Sequence, residues 1–318
     1  MMLPNLIIAG APKSGTSSLF RWLADHPDVL GSNFKETRYF ADPGTHVFNA
    51  SRHFSTGGIE GYATFFEAGK RNYRLVVEAT PTYLYSELAR RNLPKIESAP
   101  HFIFLLREPV RQMQSLFRYF QTNWSWIPPS MCFSEFVTES HSKSARFGGN
   151  ELAENALRNA AYVNYLCEWR DACGADRMHV FIFEDAFADE FRFMRRLAAQ
   201  FGIDPAFYDT YHFPRENQTY EVRSRLLQDV NMAIRARLPQ GVVYRAARCV
   251  YRALNTRSQP GREPLEDHTE ILGGLFHHAN ERLSREFNLD LGRWLEIDRA
   301  RRARQAKTAE QRHAVPAE

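Results

Sequence analysis

The sequence predicts an α/β fold: a central, mostly parallel sheet flanked by helices on both faces, with a helical C-terminal part. Three observations predict it. Short apolar runs without alternation occur at 3–9, 75–78, 102–106 and 178–183, the pattern of strands buried on both faces. Helical periodicity separates these runs, which is the alternation of a parallel sheet covered by crossover helices. After Asp204 the strand signals stop and only helical patterns follow.

Each element has its own signal. Residues 17–24 place Leu19, Phe20, Trp22 and Leu23 on a helix that His26-Pro27 closes. Residues 109–120 form a helix with Pro109 in its first turn, where its missing N–H costs nothing. Residues 151–172 read as one helix, and 187–201 as another that Gly202 ends. Later helical patterns cover 223–238, 242–254, 266–287 and 292–302, broken by Pro239-Gln240-Gly241 and by 258–264. These late helices are expected to cover the sheet within one domain over residues 1–298. Residues 299–318 read as a polar, flexible tail.

Composition narrows the class. The chain has 318 residues, 44% hydrophobic and 25% charged, as in an ordinary globular protein. Its net charge of +4, from 41 basic and 37 acidic residues, is too weak to suggest nucleic acid but suits a chain that holds a polyanion. The four cysteines form no C-x-x-C pair, so neither a zinc site nor a redox pair is indicated. No run reaches 18 consecutive apolar residues, and the first residues lack a basic, then apolar, leader pattern. A cytoplasmic chain without a transmembrane segment is expected.

Three segments carry chemistry. The first is "GAPKSGTSS", 10–18, between the first strand and the first helix. A strand, a glycine-flanked turn and a helix place backbone N–H groups at a helix N-terminus, an anion site by geometry and dipole. Lys13 adds a charge, and Ser14, Thr16, Ser17 and Ser18 add hydroxyls. Yet the best-known phosphate loop needs Lys directly after its second Gly, whereas Gly15 is followed by Thr16. The second segment is "FKETRYF", 34–40. The third is "LLREPVRQMQS", 105–115, where Arg107 ends a strand and Ser115 lies two turns into the next helix. Both can face the crevice outside the strand ends, and a guanidinium with a hydroxyl suits one phosphate.

In this order the three segments, with "VVEATPTYLYS" at 76–86, resemble the sulfotransferases that use 3'-phosphoadenosine 5'-phosphosulfate (PAPS). The likeness is to the heparan-sulfate-type and bacterial carbohydrate enzymes rather than the phenol and steroid type. It implies a P-loop-type three-layer fold and the product adenosine 3',5'-bisphosphate. It also implies a role for each residue. Lys13 would meet the oxygen bridging phosphorus and sulfur, and Ser14, Gly15, Thr16, Ser17 and Ser18 would hold the 5'-phosphate. Arg107 and Ser115 would hold the 3'-phosphate. Glu36 would take the proton of a hydroxyl acceptor, a carbohydrate, glycoconjugate or small molecule, as it attacks sulfur. The misplaced lysine then makes sense, because such a loop serves a phosphosulfate rather than a β–γ phosphate pair.

The chain also departs from the family. Ala79 stands where heparan-type enzymes carry Lys, and Arg38 where some relatives have His. Lys35 could replace the missing cation, but neighbours on an extended segment point apart. The late glycine-rich basic loop is echoed only by Gly261-Arg262, with Arg262 as a cofactor contact. Two alternatives stand beside this reading. One is a P-loop kinase or nucleoside triphosphatase, using acids at Glu78 or Glu184-Asp185 for Mg²⁺. The other is a non-catalytic binder of PAPS or glycan. No protein metal site is expected, and oligomeric state is open.

Overall fold

The computed structural model describes residues 1–67, 71–124, 126–144, 147–216, 220–222, 256–258, 272 and 274–313. Five parallel strands form one sheet in the order β2-β3-β1-β4-β5. They are β1 Leu6–Gly10, β2 Val29–Gly31, β3 Leu75–Ala79, β4 His101–Leu106 and β5 Met178–Ile182. The helices in chain order are α1 Thr16–Ala24, α2 Phe54–Ala63, α3 Glu87–Asn92, α4 Pro109–Asn123, α5 Phe133–Ser142 and α6 Glu151–Glu154. There follow α7 Ala156–Ala160, α8 Val163–Cys173, α9 Phe183–Ala186, α10 Glu190–Phe201, α11 His277–Phe287 and α12 Gly292–His313.

The strand residues alternate between two faces, and each face has its own helical layer. Leu6, Ile8, Val77, Ile103 and Leu105 pack against Leu19, Trp22 and Leu23 of α1 and against Met194 and Leu197 of α10. Ile7, Ala9, Val76, Phe102, Phe104 and Leu106 face the other way, onto Val163, Leu166 and Trp169 of α8. Leu283, Leu291 and Trp294 join that second core, so the described late helices cover the sheet. The result is the three-layer parallel architecture read from the sequence. A third cluster, built by α4, α5, α6 and α7, forms a wall beside the C-terminal strand ends.

Strand order decides where a ligand can sit. From β1 the chain crosses to β2 and β3 on one side, and from β4 it crosses to β5 on the other. The loops after β1 and β4 therefore diverge and leave a crevice between them. The β1–β4 pairing also shifts register between Ile8 and Gly10, which widens that end.

Several sequence expectations change in detail. The helix expected over 151–172 is broken into α6, α7 and α8. At the first break Asn155 leaves helical backbone angles, with φ −108° and ψ 22°, while its backbone N–H and its Nδ2 both donate to the Glu151 carbonyl, at 3.0 and 2.9 Å. The helix expected from 187 starts at Glu190, because Asp189 caps it by accepting Arg192 N–H at 2.9 Å. Three-residue strands escaped notice: β2, and an antiparallel pair Tyr220–Val222 with Thr256–Ser258 beyond residue 204. Residues 299–313, read as tail, continue α12. The patterns at 223–238 and 242–254 lie outside the described residues.

One acid is deep in this core. Glu78 of β3 is fully buried. The hydroxyls of Thr37, Thr80 and Tyr62 each donate to its carboxylate at 2.6 Å. Burial raises its pKa, and these hydrogen bonds pull against that rise. Glu78→Leu strands those hydroxyls without an acceptor, and should lower stability by about 1–3 kcal/mol. Thermal or urea denaturation checks it.

Candidate functional site

The turn after β1 is shaped by backbone requirements. Gly15 adopts φ +83°, and a Cβ there would lie 2.7 Å from the Phe187 ring and 2.9 Å from Phe183. Only glycine fits both demands. Lys13 also takes a left-handed conformation, at φ +66°. Gly15 is the N-cap of α1 and offers no capping side chain, and the first turn of α1 holds no acid. The helix N-terminus thus keeps its positive end open toward the crevice.

A cavity of about 310 Å³ lies at this crevice. Lys13, Gly15, Thr16, Ser17, Ser18, Glu36, Arg107 and Ser115 all line it. Segments almost one hundred residues apart are thus brought to one place. Ser14 does not line the cavity. It is fully buried under the loop, and its Oγ finds no hydrogen-bond partner among the described residues. Arg262 lies outside the described residues. Arg38 of the FKETRYF segment also lines the cavity, and sequence reading missed His46, Tyr119, Phe183, Phe187 and Arg215, which line it too. Only spatial proximity marks them, since none belongs to a motif of its own.

The cavity concentrates positive charge. Arg107 donates from Nη1 to the Lys13 carbonyl at 3.4 Å, and its guanidinium sits 4.8 Å from the centre of the Phe183 ring. Its buried Nε has no hydrogen-bond partner among the described residues. Lys13 Nζ sits 4.2 Å from the centre of the Tyr119 ring. Burial, and then the Arg107 charge, bring the Lys13 pKa down to about 8. An ammonium under that pressure is stabilised by an incoming anion.

Glu36 forms the acidic counterpoint. Its backbone N–H donates to the Ala79 carbonyl at 2.8 Å, which ties the segment to the end of β3. Glu36 takes φ +65° and Arg38 φ +56°, so this stretch is not extended. That overturns the expectation that Lys35 must point away from Glu36. Lys35 Nζ donates to Glu36 Oε1 at 2.9 Å, and Arg38 Nη2 to Oε2 at 2.9 Å. Burial pushes the carboxyl up, but the Lys35 and Arg38 charges and their hydrogen bonds outweigh it and hold the pKa at about 2. Lys35 thereby supplies a cation to Glu36 although Ala79, fully buried in β3, cannot.

The acids that a Mg²⁺-dependent reading would use lie elsewhere. Glu78 is enclosed by its hydroxyls, as described above. Glu184 accepts Glu108 N–H at 3.1 Å and Trp294 Nε1–H at 3.3 Å, and it lines a separate hollow with Arg111 and Arg293. Neither lines the Lys13 cavity.

Comparison with known proteins finds similarity to sulfotransferases. No protein-family model matches the chain. The membrane-associated sulfotransferase kil1 of Dictyostelium discoideum is 34% identical over 127 residues, 39% of this chain and 24% of that protein. The human bifunctional heparan sulfate N-deacetylase/N-sulfotransferase 1 is 24% identical over 178 residues, 56% of this chain and 19% of that protein. The chain is similar to sulfotransferases over these stretches. It spans about a fifth to a quarter of the length of these curated relatives. A sulfotransferase from Alicyclobacillus acidocaldarius shares the fold, with a TM-score of 0.61 at 20% identity over 92% of this chain and 99% of that one. Among the described residues, no helix is long and apolar enough to cross a membrane.

The glycine of this sulfotransferase-like loop can be tested alone. Gly15→Ala should cost about 1–2 kcal/mol from the left-handed backbone, with a further loss from the Phe187 contact. Adding Phe187→Ala should relieve the clash but not the backbone strain. Denaturation midpoints of the single and double variants separate the two effects.

Proposed function

We propose that this chain moves a sulfuryl group from PAPS to a hydroxyl of a carbohydrate or glycoconjugate acceptor. One observation carries the reading: Lys13, the Gly15–Ser18 turn, Arg107 and Ser115 line a single cavity at an open helix N-terminus. Two buried polar atoms without hydrogen-bond partners among the described residues, Ser14 Oγ and Arg107 Nε, lie at the loop and at the strand end facing it. Such a donor set fits a nucleotide carrying two separate anionic groups.

PAPS, when bound, supplies the sulfuryl group and a phosphate leaving group. The N–H groups and hydroxyls of Gly15, Thr16, Ser17 and Ser18 would hold its 5'-phosphate. Arg107 and Ser115 would hold the 3'-phosphate. Lys13 would meet the negative charge that builds on the leaving oxygen. Cations aimed at developing charge in a partly dry site typically contribute about 3–4 kcal/mol to catalysis. Glu36 stands at the acceptor side. Clamped as an anion by Lys35 and Arg38, it suits orienting the attacking hydroxyl better than keeping its proton.

The 3'-phosphate separates this reading from a nucleoside triphosphatase, whose substrate has a free 3'-hydroxyl. Adenosine 3',5'-bisphosphate should raise the melting temperature without Mg²⁺, and AMP should do so far less. Charge-assisted bonds of about 1.5–3 kcal/mol each predict an affinity gap of roughly one to three decades. Arg107→Ala should remove most of that gap and Ser115→Ala part of it. Equal stabilisation by both nucleotides, or a Mg²⁺-dependent preference for ATP, overturns the proposal.

Lys13 gives a second, pH-based test. Its depressed pKa of about 8 means that the ammonium is present below that pH and lost as pH rises through it. A bound anion favours the charged form. Near pH ~8.5, binding of the bisphosphate should therefore take up a fraction of a proton. Calorimetry in buffers of different ionisation heat measures this, and Lys13→Ala should abolish it.

A further inference from the structure

The acceptor side of the cavity contains a second acid–base pair that no sequence motif marks. His46 lies between β2 and α2 and lines the same cavity as Lys13 and Glu36. Its backbone N–H donates to Glu151 Oε2 at 2.9 Å. Its Nδ1 stands 2.9 Å from Oε1 and 2.8 Å from Oε2 of the same carboxylate. Glu151 opens α6, 105 residues away in sequence. Burial pushes the Glu151 carboxyl up, but the hydrogen bonds from His46 outweigh it and keep it below its ordinary value, as an acceptor. A carboxylate cannot donate, so Nδ1 carries the imidazole proton. With its proton on Nδ1, a neutral ring has its lone pair on Nε2. The edges of Phe120 and Trp126, with ring centres at 6.2 and 5.2 Å, fix its plane. The side chain is 14% exposed, and His46 is one of the residues that line the cavity.

Glu36 is poorly suited to hold a proton. Both its oxygens are engaged by cations, and a base with a pKa of about 2 gains little by protonation near neutral pH. A histidine whose second nitrogen is fixed by a carboxylate is the arrangement general-base catalysis requires. We propose that His46, oriented by Glu151, takes the proton of the acceptor hydroxyl, which Glu36 holds in place. This rests on the sulfotransferase reading above. The acceptor oxygen forms its bond to sulfur as the bond from sulfur to the phosphate oxygen breaks. The hydroxyl proton goes to His46 Nε2, and the charge on the leaving phosphate is met by Lys13. Glu151 is a positioning residue that acts through His46.

The test uses the full chain with PAPS and water as acceptor, read as release of labelled sulfate. His46→Asn keeps a donor toward Glu151 but removes the base. Turnover should fall by about 10²–10⁴, while affinity for adenosine 3',5'-bisphosphate stays within about two-fold. Glu151→Gln should lower kcat by about ten-fold and leave the KM for PAPS unchanged. Nitrogen NMR of the ligand-free protein provides a readout independent of turnover. Neutral His46 should carry its proton on Nδ1, and Glu151→Ala should give a mixture of tautomers. A neutral His46 protonated on Nε2, or a His46→Asn chain with wild-type turnover, overturns the inference and leaves the sulfotransferase reading standing. A wild-type chain that neither binds the bisphosphate nor releases sulfate overturns that reading, and the role of His46 with it.

Discussion

The buried carboxylate of Glu78 is the constraint on which the acceptor side depends. It accepts hydroxyls from three separate pieces of chain: Thr37, Thr80 and Tyr62 of α2. Thr37 is adjacent to Glu36, so this bond fixes the stretch that presents Glu36. Tyr83 extends the network, lying 3.1 Å from Thr37 Oγ1 and accepting Phe40 N–H at 3.3 Å. An acid in a dry core is costly unless its lone pairs are filled. Here they are filled, and the same bonds that satisfy the acid hold a left-handed turn in register with β3.

The donor side depends instead on divergence. β1 and β4 are neighbours whose following loops turn to opposite sides, and their register slips where the loop begins. This brings Arg107 close enough to Lys13 to disfavour its charge, with Glu36 offsetting only part of that effect. Positive charge placed against its own electrostatic preference, at an open helix N-terminus, marks a site built for an anion. Lys13 and Arg107 line the cavity at the loop and strand ends, and Glu36, held by Lys35 and Arg38, lines it together with His46.

Much of the donor side was legible in the chain itself. An apolar run, then Gly-x-x-Lys-Ser-Gly, then a helical pattern dictates a β-turn-α unit through local geometry alone. A buried strand ending in Arg107 and continuing through Pro109 into a helix with Ser115 is likewise a local property. The parallel three-layer architecture followed from unalternating strands separated by helices, because strands covered on both faces have no polar side to show.

The acceptor side was decided only by tertiary structure, for two physical reasons. The first is backbone conformation: positive φ at Glu36 and Arg38, held by the bonds to Ala79, Thr80 and Glu78, turns Lys35 and Arg38 onto one carboxylate, whereas the sequence suggested an extended segment. The second is long-range pairing. His46 and Glu151 belong to unremarkable stretches, and the break between α6 and α7 at Asn155 was invisible to helical periodicity. Strand order, which no local pattern encodes, set the crevice between β1 and β4. The sequence by itself determined which groups could bind an anion. Which further groups line the cavity beside Glu36 was decided by packing, because that depends on contacts between residues far apart in the chain.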